Sequence, residues 1–206
     1  MVLALTPAFA TVHKLPTRDP EPTDAELVAR ILAGDRHAEE RLYLRHVGYV
    51  TSLCLRLLGR RDEAEDAAQD TFVDVLEQLP RLREPQRLKH WITRIAVHKA
   101  HRRFRRRKLL RAIGLYGSDP LEESLLPASS ERATQEQALE LDKLSDVLVG
   151  LPDVQRAAWV LRYVDGHKLE QVAALCDCSL ATAKRRIAAA DLVVRQHVQL
   201  EVEDDL

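Results

Sequence analysis

The chain has 206 residues, with 31 Lys or Arg against 32 Asp or Glu, and a formal charge of −1. Charged residues make up 31% and aromatics 4%, with only seven glycines, a balance that disfavours sheets and predicts an all-α chain of one large or two small domains. No apolar run approaches the ~20 residues of a membrane span. Three cysteines, two of them in a Cys176-x-Cys178 pair, make no disulfide framework and point to the reducing cytoplasm. The opening MVLALTPAFA lacks a positive n-region and is broken by Pro7, so a cleaved leader is not expected.

Residues 1–22 carry Pro7, Pro16, Pro20 and Pro22 and read as a flexible extension. Thr23-x-x-Glu26 is a capping box that opens a first helical domain, expected over 23–112. Leu27, Val28, Ile31 and Leu32 form an apolar stripe that stops at Gly34. A second helix places Leu42, Tyr43, Val47, Val50, Leu53 and Cys54 in register and reaches Gly59. From Asp62 to Glu77 there are seven acids and no Lys or Arg; the apolar positions of this stretch, among them Ala64, Ala68, Phe72, Val75, Leu76 and Leu79, recur at helical spacing. Pro80 ends that helix. From Arg81 to Arg111 there are thirteen Lys or Arg and one acid, Glu84, and a helix is expected over Leu88 to Arg111. Trp91 shares its apolar side with Ile92 and Ile95 and reads as core. An acidic face suits a basic protein surface and a basic face suits a polyanion, so the pair suggests a chain that joins a protein to nucleic acid.

Residues 113–137, with Gly117, Pro120, Pro127 and several acids, read as an acidic linker. A second helical domain is expected over 138–198, followed by a loose acidic tail at 199–206. Within that domain Leu151-Pro152 opens a helix that stops at Asp165-Gly166. A short helix follows near Lys168, then a turn at Asp177-Cys178, then a last helix capped by Ser179. Val172 and Cys176 on one side and Ala183 and Ile187 on the other make the packed seam of a helix-turn-helix. The turn position of Asp177 favours φ > 0, which Asp tolerates better than most residues. The outward face of the last helix presents Ala181, Thr182, Lys184, Arg185 and Arg186, suited to base edges and phosphates of a major groove.

These stretches resemble a known family. LVARILAGDRHAEERLY (27–43), DEAEDAAQDTFVDVL (62–76) and HWITRIAVHKAHRRFRRR (90–107) resemble region 2 of bacterial RNA polymerase sigma factors of the extracytoplasmic-function group. LPDVQRAAWVLRYVDGHKLEQVAALCDCSLATAKRRI (151–187) resembles region 4 of the same group. The resemblance covers residues 24–198. It implies a protein that binds core RNA polymerase, directs it to promoters and helps open the minus-ten region, with no cofactor, no resident metal and no enzymatic activity of its own. It implies that Asp66, Gln69, Asp70 and Phe72 contact the polymerase. It places minus-ten contacts on Lys89, His90, Arg94, His98, Lys99, His101, Arg102 and Arg105, and a base-capturing loop at about 81–89. Minus-thirty-five contacts fall on Ser179, Ala181, Thr182, Lys184, Arg185 and Arg186. It also implies an anti-sigma partner, in some cases membrane-attached. The family pattern has an aromatic where Glu39 stands, Asn where His98 stands and Gly where Asp177 stands.

Other readings exist. A helix-turn-helix repressor or activator could act on duplex DNA alone, but no dimerisation seam is evident. A helical adaptor using the charged helices for protein contacts only would leave the helix-turn-helix unexplained. His98-x-x-His101 with His90 has metal-like spacing, but its cationic setting repels a metal ion. Cys176 and Cys178 occupy apolar slots, where a cysteine packs as a small hydrophobe. No Gly-rich phosphate loop and no nucleophile-base arrangement appears.

Overall fold

The computed structural model describes residues 21–114 and 144–204, with side chains to 197. Most of the expected extension and acidic linker, the first residues of the second domain and the end of the tail lie outside the described residues. Every regular element in the described residues is helical: α1 (Asp24–Leu32), α2 (Arg36–Leu58), α3 (Arg61–Gln78), α4 (Leu88–Ala112), α5 (144–150), α6 (Asp153–Trp159), α7 (Leu169–Leu175) and α8 (Leu180–Asp204). Short 3-10 turns at Leu79–Arg81 and Pro85–Arg87 link α3 to α4, and a π-helical turn, Val160–Val164, extends α6.

Local signals set the ends. Thr23 Oγ1 accepts from the Glu26 amide at 3.3 Å, and the Glu26 carboxylate accepts from the Thr23 amide at 2.7 Å, closing the predicted capping box of α1. Asp35 caps α2 by accepting from the amides of His37 and Ala38. The other end of α2 stops at Gly59, whose φ of 73° is left-handed and whose N–H donates to Leu55 O. In the second half, Asp177 adopts φ 48°, as the turn chemistry predicts, and Ser179 Oγ accepts from the Thr182 amide at 3.2 Å to open α8.

α2 is the centre of the first half. It packs on α1, α3 and α4, and its buried face (Leu42, Val50, Leu53, Cys54, Leu57 and Leu58) has no exposed surface. Ala64, Ala67 and Ala68 keep α3 close to it, since small side chains let two helix axes approach. Ile92, Ala96, Val97 and Ala100 close the bundle from α4. Asp24 ties α1 to α2 through Arg45 at 2.9 Å and His46 at 3.2 Å. In the second half α6 packs on α8 and α7 on α8, around Leu161, Val172, Ala183 and Ala190.

Four details differ from the sequence reading. Leu32, Tyr43 and Leu76, placed on apolar stripes, are exposed; each sits at the edge of its helix's buried arc. Ala67, absent from the predicted stripe, is fully buried. Trp91 packs only partly against the core. α8 continues to Asp204, beyond the residue 198 where the domain was expected to end, so the acidic tail begins as helix rather than as loose chain.

Leu53 has no exposed surface and lies where α2 meets its neighbours. Leu53→Ala should cost about 2–5 kcal/mol, the range for a buried leucine that leaves a cavity. A denaturant melt that moved by less than about 1 kcal/mol would contradict the packing described.

Candidate polymerase and promoter interfaces

α3 presents Asp66, Gln69 and Asp70 on its exposed side. Phe72, grouped with them by the sequence pattern, is 6% exposed, and its ring meets Tyr43 edge-on at 4.8 Å. It packs α3 against α2 and leaves little of its ring open to a partner. The acid stripe is not wholly free. Asp70 pairs with Arg103 at 3.1 Å and Asp74 with Lys99 at 2.7 Å, both on α4. Asp66 makes no ion pair among the described residues and is exposed beside Gln69.

On α4, His90, Arg94, His98 and Arg102 recur every four residues and are all exposed, so they form one stripe; Arg105 continues it. Lys89 is exposed at the helix start, with its ammonium 4.4 Å above the Tyr49 ring. Lys89 places positive charge at a helix N-terminus, where the macrodipole opposes it. A local energetic cost of that kind is more often found where a function needs the charge. Lys99 does not join the stripe: it leans on α3 and is largely covered. His101 is half-buried and its Nε2 has no hydrogen-bond partner.

On α8, Ala181, Lys184 and Arg185 are exposed on one face, and Ser179 is exposed at the cap. Thr182 and Arg186 are partly covered. Ala173 of α7 and Ala183 of α8, both buried, let the two helices cross closely, so the exposed face of α8 stands clear of α7. The three cysteines are free thiols. Burial pushes the Cys54 and Cys176 thiols up to about 12, which leaves both unreactive near neutral pH.

Residues missed by sequence reasoning join the two halves. Arg56 Nη2 donates to Asp165 at 3.2 Å, and Arg107 Nη2 donates to Asp153 at 3.2 Å. Arg156, 1% exposed, donates from Nε to Leu57 O at 3.0 Å and from Nη2 to Leu58 O at 3.2 Å. One signal was available for Arg56: three residues after Leu53 and one before Leu57, it falls on the apolar face of α2. Arg156 likewise precedes an unbroken apolar run at 157–161.

Comparison with known proteins bears on both halves. Residues 42–109 match the family Sigma-70 region 2, and residues 141–190 match Sigma-70, region 4. The ECF RNA polymerase sigma factor SigM of Mycobacterium tuberculosis is 32% identical over 171 residues, covering 82% of each chain. The chain belongs to the extracytoplasmic-function sigma factors. The ECF RNA polymerase sigma-E factor of Escherichia coli is 28% identical over 184 residues, covering 86% of this chain and 95% of that one. The fold is similar to that of the sigma factor RpoE of Bartonella quintana, solved with the anti-sigma factor NepR, at a TM-score of 0.62 and 22% identity over 78% of this chain and 96% of that one. It is also similar to that of CnrH, solved with the cytosolic domain of CnrY, at a TM-score of 0.55 and 21% identity over 86% of this chain and 97% of that one. As a sigma factor the protein binds core RNA polymerase and directs it to promoter DNA. A repressor or activator acting without polymerase would have no use for region 2, and that alternative falls away.

One titratable group of this sigma factor has a clear environment. Burial, then the charges of His98, Arg186 and Arg105, pull the His101 pKa down to about 4, while Asp177 pulls it the other way. The unfolded chain takes up this proton near the ordinary value of 6.5. The folded form therefore binds fewer protons between these values. The stability His101 contributes is intact above about pH 6.5 and is lost as pH falls towards 4. His101→Leu should flatten the fall in the thermal midpoint between pH 6.5 and 5 relative to the unaltered protein. Parallel slopes in the two pH series would show that His101 is not held neutral.

Proposed function

We propose that this sigma factor divides its work among three surfaces. The exposed Asp66, Gln69 and Asp70 of α3 hold core polymerase. The α4 stripe of His90, Arg94, His98, Arg102 and Arg105, with Lys89 at its start, holds the minus-ten strand. The exposed face of α8, Ser179, Ala181, Lys184 and Arg185 with Thr182 and Arg186 at its edge, reads the minus-thirty-five element. The observation that carries the reading is the outward α4 stripe on the same bundle as the outward Asp66 face. A protein contact and a nucleic-acid contact are thereby fixed to one rigid body. Phe72 and Lys99 act within the bundle, keeping α3 and α4 in place.

The segment between α3 and α4 offers Arg83, Gln86 and Arg87 to solvent, at the start of the helix that carries the stripe. It is the place for a base lifted from a melted strand, since unstacking costs least where pairing is already lost. The protein works in the cytoplasm, where the polymerase is; no helix among the described residues is long and apolar enough to cross a membrane. An anti-sigma factor is its expected regulator, because two sigma factors of like fold were captured with such partners.

Asp66→Arg should lower affinity for core polymerase at least about tenfold with an unchanged thermal melt, because reversing a charge at a complementary interface costs both the attraction and a new repulsion. Equal affinity would remove α3 from the contact. Lys184→Ala with Arg185→Ala should leave core binding intact and reduce initiation roughly 10–100-fold at promoters that depend on a minus-thirty-five element, as expected for lost base or phosphate contacts. Binding of the assembled holoenzyme to promoter DNA should also fall steeply with salt as counterions are released.

A further inference from the structure

Two buried nitrogens have no part in the surfaces described above. Arg56 of α2 is only 8% exposed; its Nη2 donates to Asp165 at 3.2 Å, but its Nε–H finds no acceptor among the described residues. His167, between the π-helical turn and α7, has a buried Nε2 that also finds no partner among them. A buried polar group left unpaired is unfavourable and calls for an explanation. Both residues line one cleft of about 470 Å³, together with Tyr49, Lys89, His90 and Asp165. In it the His90 and His167 rings are 5.9 Å apart, and the Lys89 ammonium stands 4.4 Å from the centre of the Tyr49 ring. Lys89 makes no ion pair among the described residues, whereas Asp165, the one carboxylate of the lining, is already paired with Arg56.

We propose that this cleft is a binding site for a small phosphate-bearing molecule, with Arg56 Nε, His167 Nε2, Lys89 Nζ and a His90 ring nitrogen as its donors. The charge balance selects an anion. Arg56 and Asp165 offset each other, and the Lys89 charge is left over. A metal ion does not fit: two cationic side chains line the cleft, and no group of three His, Cys, Asp or Glu among the described residues could hold one. The donor set selects phosphate over carboxylate. Nitrogens from four side chains suit a phosphate monoester, with its three strong acceptor oxygens and its near-double charge, better than the two oxygens of a carboxylate.

The state of the lining agrees with that choice. Burial holds the His167 pKa below its ordinary 6.5; Asp165 pulls the other way, and the charges of His90 and Lys89 add to the lowering. At neutral pH the ring is therefore uncharged and can present an N–H at Nε2. Burial, then the charge of Asp165, pushes the Tyr49 hydroxyl up to about 12, so it adds no negative charge. The volume falls in the range of small-molecule sites and exceeds that of a bare ion, leaving room for an organic body against Tyr49 and Val164. A single strand is held along an extended groove over several nucleotides, whereas this cleft is local and walled from both halves, by α2 and α4 on one side and by Asp165 and His167 on the other. A free molecule is the occupant it suits.

Arg56 and His167 give the test, because neither is assigned to polymerase or DNA, as Lys89 and His90 are. His167→Phe keeps a ring beside His90 and removes both nitrogens. Arg56→Lys keeps a cation for Asp165 and removes the Nε–H. The full chain and each variant are titrated by calorimetry with inorganic phosphate and with adenosine monophosphate, in a buffer free of phosphate. Histidine-ring NMR locates the ligand, and helical circular dichroism controls for folding. The unaltered protein should bind adenosine monophosphate saturably, with the His90 and His167 resonances moving together. Each variant should weaken that binding about tenfold, as for one lost hydrogen bond to a charged group. His167→Gln, which restores an N–H near the lost nitrogen, should recover part of it. Arg106→Ala, an exposed position of α4 outside the cleft, should change nothing. Binding that does not saturate, or equal affinity in both variants, overturns the site. So does a loss on Arg106→Ala as large as that on His167→Phe, which would mark general attraction to the basic helix. Inorganic phosphate bound with adenosine monophosphate excluded overturns the organic ligand. A short oligothymidylate that moves the His167 resonances at a lower concentration than adenosine monophosphate overturns the free molecule in favour of a strand phosphate. Should Arg56→Lys fail to fold, the Phe and Gln variants of His167 decide alone, and no recovery with Gln overturns the donor role. Any of these failures leaves the polymerase and promoter surfaces as they stand.

Discussion

Two arginines at the end of one helix organise the molecule. α2 runs from Arg36 to Leu58 and its last carbonyls have no helical donors of their own. Gly59 turns the chain with a left-handed φ, which lets α3 begin at Arg61 and fold back along α2. That reversal leaves the carbonyls of Leu57 and Leu58 facing the space where α4 ends and α6 begins. Arg107 enters from one side and Arg156 from the other. Burial lowers the Arg156 pKa to about 10, which still leaves it cationic at neutral pH, and Asp153 beside both guanidinia offsets part of their mutual repulsion. A Cβ at position 59 would meet the Arg156 guanidinium at 3.5 Å, an ordinary contact, so it is the left-handed φ, strained for any L side chain, that calls for glycine there. The turn, the end of α4 and the seat of region 4 are thus one local arrangement.

The acid and basic helices obey a different logic. Their charges invite a reading as two free faces waiting for partners, and part of each is instead internal. Lys99 to Asp74 and Arg103 to Asp70 stitch α4 to α3. Partly exposed bridges of this sort stabilise by no more than about 1 kcal/mol each, so they are not what holds the bundle together; the apolar seam of Phe72, Val75, Ile92 and Ala96 is. What the bridges add is orientation. With Lys99 and Arg103 drawn to α3, the positions one residue earlier, His98 and Arg102, turn outward with Arg94. The charges spent inside the bundle thereby aim those left outside it.

This division explains how much could be read from the sequence. Caps and turns are local, and Thr23, Gly59, Asp177 and Ser179 announced their geometry through residue type alone. The helix-turn-helix was legible for the same reason, since Val172, Cys176, Ala183 and Ile187 lie within sixteen residues. The seam between the halves was not. Arg156 bonds to carbonyls of residues about a hundred positions earlier, and no charge count or periodicity carries that information. Arg107 was lost within a basic run whose neighbours point to solvent, because a run of like residues does not say which one turns inward. The burial of Phe72 was not legible either: a motif groups residues by spacing, whereas exposure depends on what packs opposite, here Tyr43 and α2.

The same geometry bears on how tightly the two halves hold each other. The contact between the halves brings basic residues of α4 and α8 near each other, and burial first, then the charges of His98, Arg186 and Arg105, keep His101 neutral. That juxtaposition opposes the contact. The Arg156 and Arg56 contacts favour it, but each replaces hydration that the same groups would regain on separation, so their net worth is a fraction of their gross strength. Attraction at one end of the seam and repulsion at the other leave a small difference between contact and separation. A small difference is what a bound ligand can tip, since a ligand shifts a two-state equilibrium only by its differential affinity for the two states. An anion held by Arg56 of one half and His167 of the other would have that preference by geometry alone. A seam built from many strong but hydration-balanced contacts can therefore be specific in position and still respond to a bound ligand.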